Sequence, residues 1–139
     1  MRIEGLEWNV IQYLTDNTAL DMPVCVDGLD PENSRDQISF TLSGGTKQND
    51  AYAIASPELQ VLVRSKSSTK AKKQVFKIFN LLDNKFGLEL PEYSDGTYQY
   101  EAVTVPQISS VQIPSYIGAD NNFAHMWVVN FNLTGVLDH

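Results

Sequence analysis

Apolar residues along this chain follow two different periods, and the change between them is clearest from Glu58 to Gly87. Leu59, Val61 and Val63 alternate with Gln60, Leu62 and Arg64, the two-residue period of a strand with one buried face. Ser65, Ser67, Ser68 and Thr69 then offer several N-caps to a helix. From Ala71 the spacing lengthens: Ala71, Val75, Ile78, Phe79, Leu82 and Phe86 fall on one helical face, and Gly87 stands where a left-handed C-cap is wanted. The pattern predicts a strand feeding an amphipathic helix whose stripe covers a sheet.

The same two periods divide the rest of the chain. Ile3, Leu6, Val10, Tyr13 and Leu14 predict a first helix, ended by the polar cluster Asp16 to Asp21. Met22 to Asp27 reads as a short strand, Gly28 to Asp36 as a polar loop, and Gln37 to Ser43 as a strand burying Ile38, Phe40 and Leu42. Gly44-Gly45 opens a predicted polar loop to Asp50, and an alanine-rich connection with room for a short strand at Tyr52 to Ala55 leads into Pro57. Beyond the second helix lies a polar passage whose Tyr93, Tyr98 and Tyr100 fit either a half-buried position or a partner surface. Ala102 to Ile113 is extended, with Pro106 marking an edge, bulge or boundary. Pro114 to Asn122 reads as a loop. Phe123 to Val136 is the last strand, with Trp127, Val129, Phe131 and Leu133 on its buried face. Runs of hairpin-like strands rather than strict strand–helix alternation predict an α+β class: a mostly antiparallel sheet with two helices on one face, in a single domain over residues 1–139.

Composition agrees with a folded domain: 139 residues, 42% apolar and 19% charged, enough for a core without disulfides or metal. No apolar run is long enough to span a bilayer, so no membrane partner is expected. The first residues lack the features of a signal peptide, and the single cysteine, Cys25, fits folding in a reducing cytosol. Charge changes the picture more. Arg64 to Lys85 holds seven of the ten basic residues and one acid, a net +6, which leaves −13 for the rest of a chain whose total is −7.

The inventory for catalysis is thin, and no enzyme is expected. Cys25 lies in a short apolar strand and reads as a core thiol; His125 and His139 are the only histidines, and nothing flanking them marks a nucleophile–base pair. Asp27, Asp30, Glu32 and Asp36 lack the calcium-loop spacing, no Cys/His cluster suits zinc, and Gly44-Gly45 lacks the rest of a phosphate-binding loop. Neither metal nor cofactor is expected. What remains is the basic helix. A solvated face would explain Lys70, Lys72, Lys73 and Lys77, and so would a nucleic-acid-binding surface, although the whole-chain charge opposes phosphate. One basic and one acidic surface on one chain also suit a head-to-tail contact between copies.

The order of features carries a resemblance. The N-terminal helix followed by MPVCVDGLDP, then ISFTLSGG, then ELQVLVRS running into STKAKKQVFKIFNLL, and finally IPSYIGADNNFAHMWVVNFNL, resembles the tail-terminator, tail-completion and minor capsid proteins of long-tailed bacteriophages. The resemblance covers nearly the whole chain and rests on order and spacing rather than on any one motif. It implies a structural virion protein, assembled in the host cytoplasm. Such a protein forms a ring, usually hexameric, that caps the tail tube, stops its polymerisation and meets the head–tail connector protein. DNA then passes through the lumen without specific binding. A head-side stopper of the neck would fit the same features. On that implication, Arg64, Lys66, Lys70, Lys72, Lys73 and Lys77 are candidate contacts between protomers or rings. The acidic loop with Asp27, Asp30, Glu32 and Asp36 and the loop with Gly44, Gly45 and Lys47 are candidate docking surfaces for the tail tube protein or connector.

Overall fold

The structure, a computed structural model, describes residues 3–30, 36–47 and 54–137. The elements run α1 (Leu6–Asp16), β1 (Val24–Val26), β2 (Gln37–Lys47), β3 (Ile54–Ser65), α2 (Ser68–Leu82), β4 (Lys85–Leu90), β5 (Tyr93–Ser94), β6 (Gln99–Tyr100), β7 (Val103–Ser110), β8 (Ser115–Ala119), β9 (His125–Thr134) and β10 (Val136–Leu137). The fold is α+β, as the hydrophobic periods predict. The main sheet runs β1-β2-β3-β9-β7-β4, and every described strand pair except β1–β2 is antiparallel. Strand β9 has two partners on one side: β7 along Phe131 to Thr134 and β8 along His125 to Val128. A small second ladder, β5–β6, forms a hairpin beyond the end of β4.

One face of the sheet is dry because its strands alternate as expected. Phe40, Leu59, Val61, Val63, Phe131 and Leu133 are essentially inaccessible and form one cluster with Leu6, Val10 and Leu14 of α1 and Ala71, Val75 and Ile78 of α2. Ser67 caps α2, accepting a hydrogen bond from the Lys70 amide at 3.2 Å. Gln74, 1% exposed, fastens that helix to the chain leaving α1: its amide donates to the Ala19 carbonyl at 2.7 Å and its oxygen accepts from the Asp21 amide at 2.6 Å.

Four local expectations are corrected. Helix α2 ends at Leu82 with Asp83 as cap and a left-handed Asn84 after it; Gly87 also has a positive φ, but it lies inside β4 and caps no helix. Phe86 therefore leaves the helical stripe and stands 68% exposed on β4; a residue four positions after Leu82 fits a helical period whether or not the helix continues. Gly44 and Gly45 lie within β2 rather than in a loop, at a register shift opposite Pro57, which itself lies inside β3. A Cβ on Gly45 would run into the Ser56 carbonyl, so the strands can cross here only at a glycine. Finally, Ser115–Ala119 is a strand rather than a loop, paired with β9. Pro106 stands where pairing between β7 and β9 stops, one residue before Gln107↔Thr134, as its missing N–H requires.

Candidate assembly surface

Two ends of the sheet carry the features that internal packing leaves exposed, and they differ in character. The first is built around β8. Tyr116 lies beside Trp127 of β9, with ring centroids 5.6 Å apart, and Trp127 in turn meets Phe76 of α2 edge-on at 6.3 Å. The Lys72 ammonium sits 5.8 Å above the Trp127 ring. Along and beside this strand, Val111, Ile113, Tyr116, Ile117 and Phe123 are all exposed, Ile113 by 69% and Phe123 by 82%. Single exposed apolar residues are ordinary; five of them on and around one edge strand form a surface seeking a partner. His125 belongs to this end, its Nδ1 2.8 Å from the Tyr116 hydroxyl. Cys25 does not: it lies on β1, three strands across from β9, and its half-buried thiol donates to Gln37 Oε1 at 3.4 Å.

An internal ion pair fixes the β8–β9 turn. Asp120 Oδ1 accepts from the amides of Asn122 and Ala124 at 2.9 and 3.0 Å, while Oδ2 meets Arg64 Nε at 2.8 Å. The backbone donors, first Ala124 and then Asn122, and behind them the Arg64 charge, hold the Asp120 carboxyl below the usual carboxylate range. Arg64 points away from the helices, as the alternation of β3 predicts, but is only 3% exposed. It lines a shallow cleft of about 270 Å³ with Leu29, Asp120, Asn121, Asn122 and Met126. Arg64 is therefore withdrawn from the candidate protomer contacts: its guanidinium is occupied inside the fold.

Helix α2 divides its positive charge between two flanks. Lys70 and Lys77, two turns apart, face the β1–β2 side and are met by Asp36 at 2.6 Å and Asp21 at 3.4 Å. The Lys70 hydrogen bond is the main reason the Asp36 carboxyl lies below its ordinary value. Lys72 turns the other way, over Trp127, and Lys73 lies on the exposed crest of the helix. Lys66 is exposed in the turn before α2. Among the described residues, Lys66, Lys72 and Lys73 make no ion pair.

The second end is the β5–β6 hairpin, which leans on the start of α1. Trp8 stacks on Tyr93 at 4.8 Å, and Tyr93, Tyr100 and Tyr98 continue the stack at 6.4 Å intervals. Asn9, fully buried, clamps the hairpin's neck: its Nδ2 donates to the carbonyls of Pro91 at 2.9 Å and Glu101 at 3.1 Å, with Tyr100 at 3.4 Å. Gly5, at a φ of 89°, caps α1 directly under the Tyr100 ring, where a side chain would collide. At the tip, Asp95 accepts from the amides of Tyr98 and Thr97 at 2.8 and 2.9 Å, and those bonds lower its pKa. Burial, followed by the hydrogen bond to Asp95, raises that of Tyr93.

The remaining candidate residues are dispersed. Asp27 and Asp30 are exposed at the end of β1 and just beyond it, Asp36 is half-buried against Lys70, and Glu32 lies outside the described residues. Gly44 and Gly45 are exposed on β2, Lys47 ends that strand, and residues 48–53 lie outside the described part of the chain. Among the described residues no group of three or more His, Cys, Asp or Glu side chains could hold a metal ion, and no helix is long and apolar enough to cross a membrane. No curated protein matches the chain. Over residues 13–137, however, the sequence matches the family described as bacteriophage tail terminator protein. That stretch reaches from the second half of α1 to β10 and takes in every strand and helix α2. The chain belongs to the bacteriophage tail terminator family and is a structural protein of the phage tail.

Proposed function

We propose that copies of this chain join into a ring, a hexamer on the family resemblance, that caps the tail tube, ends its polymerisation and offers its other side to the head–tail connector. The observation that carries this reading is the exposed apolar edge at β8 in a chain of a tail terminator family. A protomer working alone would leave Ile113, Ile117 and Phe123 in water with no compensating gain, whereas a ring buries the same surface in every copy. Lys66, Lys72 and Lys73 belong to the proposed protomer contact, and Lys70 and Lys77 border it while bound to their own chain's acids. The segment from Asp27 to Asp36 and the β2 end at Gly44, Gly45 and Lys47 are proposed to face the tail tube protein or the connector. DNA passes a lumen whose wall, in a chain of net charge −7, repels phosphate rather than binding it.

The experiment is polymerisation of the tail tube protein with and without this chain, with tube lengths measured by negative-stain electron microscopy. Capped tubes that stop growing support the reading. An unchanged length distribution with no density at the tube ends overturns it.

A further inference from the structure

We infer that neighbouring copies meet head to tail, with the acidic aromatic hairpin β5–β6 of one chain seated on the β8 edge and the Lys72 flank of the next. This rests on the ring reading and names the surfaces that would form it. The register sets the geometry. Strand β8 lies beside the start of β9, at His125 to Val128, whereas β4 and β7 reach Leu90 and Val103 beyond the Gln107↔Thr134 pair at its end. The ten residues of β9 span roughly 30 Å at the rise of an extended strand. The two surfaces therefore occupy opposite ends of the sheet and cannot meet within one chain.

Their chemistry is complementary. Residues 89–101 carry Glu89, Glu92, Asp95 and Glu101 with no Lys or Arg, and Tyr98 stands 56% exposed at the outer end of the aromatic stack. The β8 end offers Ile113, Tyr116 and Ile117 for that ring, with Lys66, Lys72 and Lys73 alongside for the carboxylates. A two-fold contact of either end with its own copy would set like charges face to face, which opposes association. Pairing the unlike ends is heterologous and repeats around a closed ring. Both surfaces are also held in shape beforehand, the hairpin by Asn9 and the β8 turn by the Arg64–Asp120 pair. Little ordering is then left for association to impose.

The test is charge reversal at each end and at both, followed by sedimentation velocity at low salt and with tail tubes, with circular dichroism to verify each fold. Lys72→Glu/Lys73→Glu and Glu92→Lys/Glu101→Lys should each weaken self-association about tenfold or more, as expected for like charges set in contact. The four-fold variant restores opposite charges across every contact and should recover most of that loss. Wild-type assembly that neither pair of reversals weakens, or a four-fold variant no better than the doubles, overturns the contact while leaving the ring intact. A wild-type chain that stays monomeric at every concentration and on tail tubes removes the ring and this contact together.

Discussion

Asn9→Asp is a near-isosteric change at a fully buried position of α1, so its effect isolates hydrogen bonding from packing. The wild-type amide donates to the Pro91 and Glu101 carbonyls at 2.9 and 3.1 Å and shares a longer contact with Tyr100 at 3.4 Å. A carboxylate donates nothing and turns lone pairs toward all three carbonyl oxygens. Leaving two acceptors without their donor costs about 1–3 kcal/mol each, so the change should destabilise the fold by about 2–6 kcal/mol. For a chain of 139 residues, that corresponds to a fall in Tm on the order of 10 °C. Thermal unfolding followed by circular dichroism measures it. Near-ultraviolet dichroism should change too, because the Trp8–Tyr93–Tyr100 stack depends on the clamped neck. A Tm within about 2 °C of wild type, below the shift expected for even one lost bond, would refute the account of how the hairpin is held.

Other outcomes follow from the same structure. Gln74→Leu leaves the Ala19 carbonyl and the Asp21 amide without their partners and should cost about 2–4 kcal/mol in urea unfolding. Phe131→Ala removes a fully buried ring from the face under the helices and should cost about 3–5 kcal/mol, with the m-value unchanged. The carboxyls of Asp36 and Asp120 have folded pKa values below their unfolded ones. Their contribution is therefore complete above the ordinary carboxylate range and is lost as pH falls through the depressed folded values. Urea midpoints should be flat near neutrality and fall in acid, and Asp120→Asn should show a shallower acid decline than wild type. Lys72→Glu/Lys73→Glu should leave the Tm within a few degrees of wild type, since neither residue makes an ion pair among the described residues and exposed charges contribute under about 1 kcal/mol.

The dry face of the sheet was legible in the sequence because it is a local periodic signal. Leu59, Val61 and Val63 alternate with Gln60, Leu62 and Arg64, and later Val129, Phe131 and Leu133 alternate with Asn130 and Asn132; all six are buried where the alternation puts them. The helical stripe was legible to Leu82 and overshot to Phe86, since spacing alone does not register the left-handed turn at Asn84. Ser115–Ala119 was misread as a loop because Pro114, Gly118 and the Asp120–Asn122 run are turn residues. It is a strand because an already formed β9 offers it a ladder. Arg64 shows a different limit. Alternation put it on the outer face, but its burial depends on Asp120 and on Leu29, both remote in sequence. The division of the lysines was hidden in the same way: Asp21 and Asp36 reach Lys77 and Lys70 only once β1 and β2 are in place. The order of motifs carried the family, whereas the two unlike ends of the sheet became visible only through its register.

Ring formation on the tail tube is the claim on which the functional account stands, and electron microscopy of this chain mixed with assembled tail tubes tests it most directly. A ring of several 15.6 kDa copies is expected at one end of each tube, with tubes that no longer extend when more tube protein is added. Bare tube ends that continue to grow at saturating concentrations of the chain would contradict it.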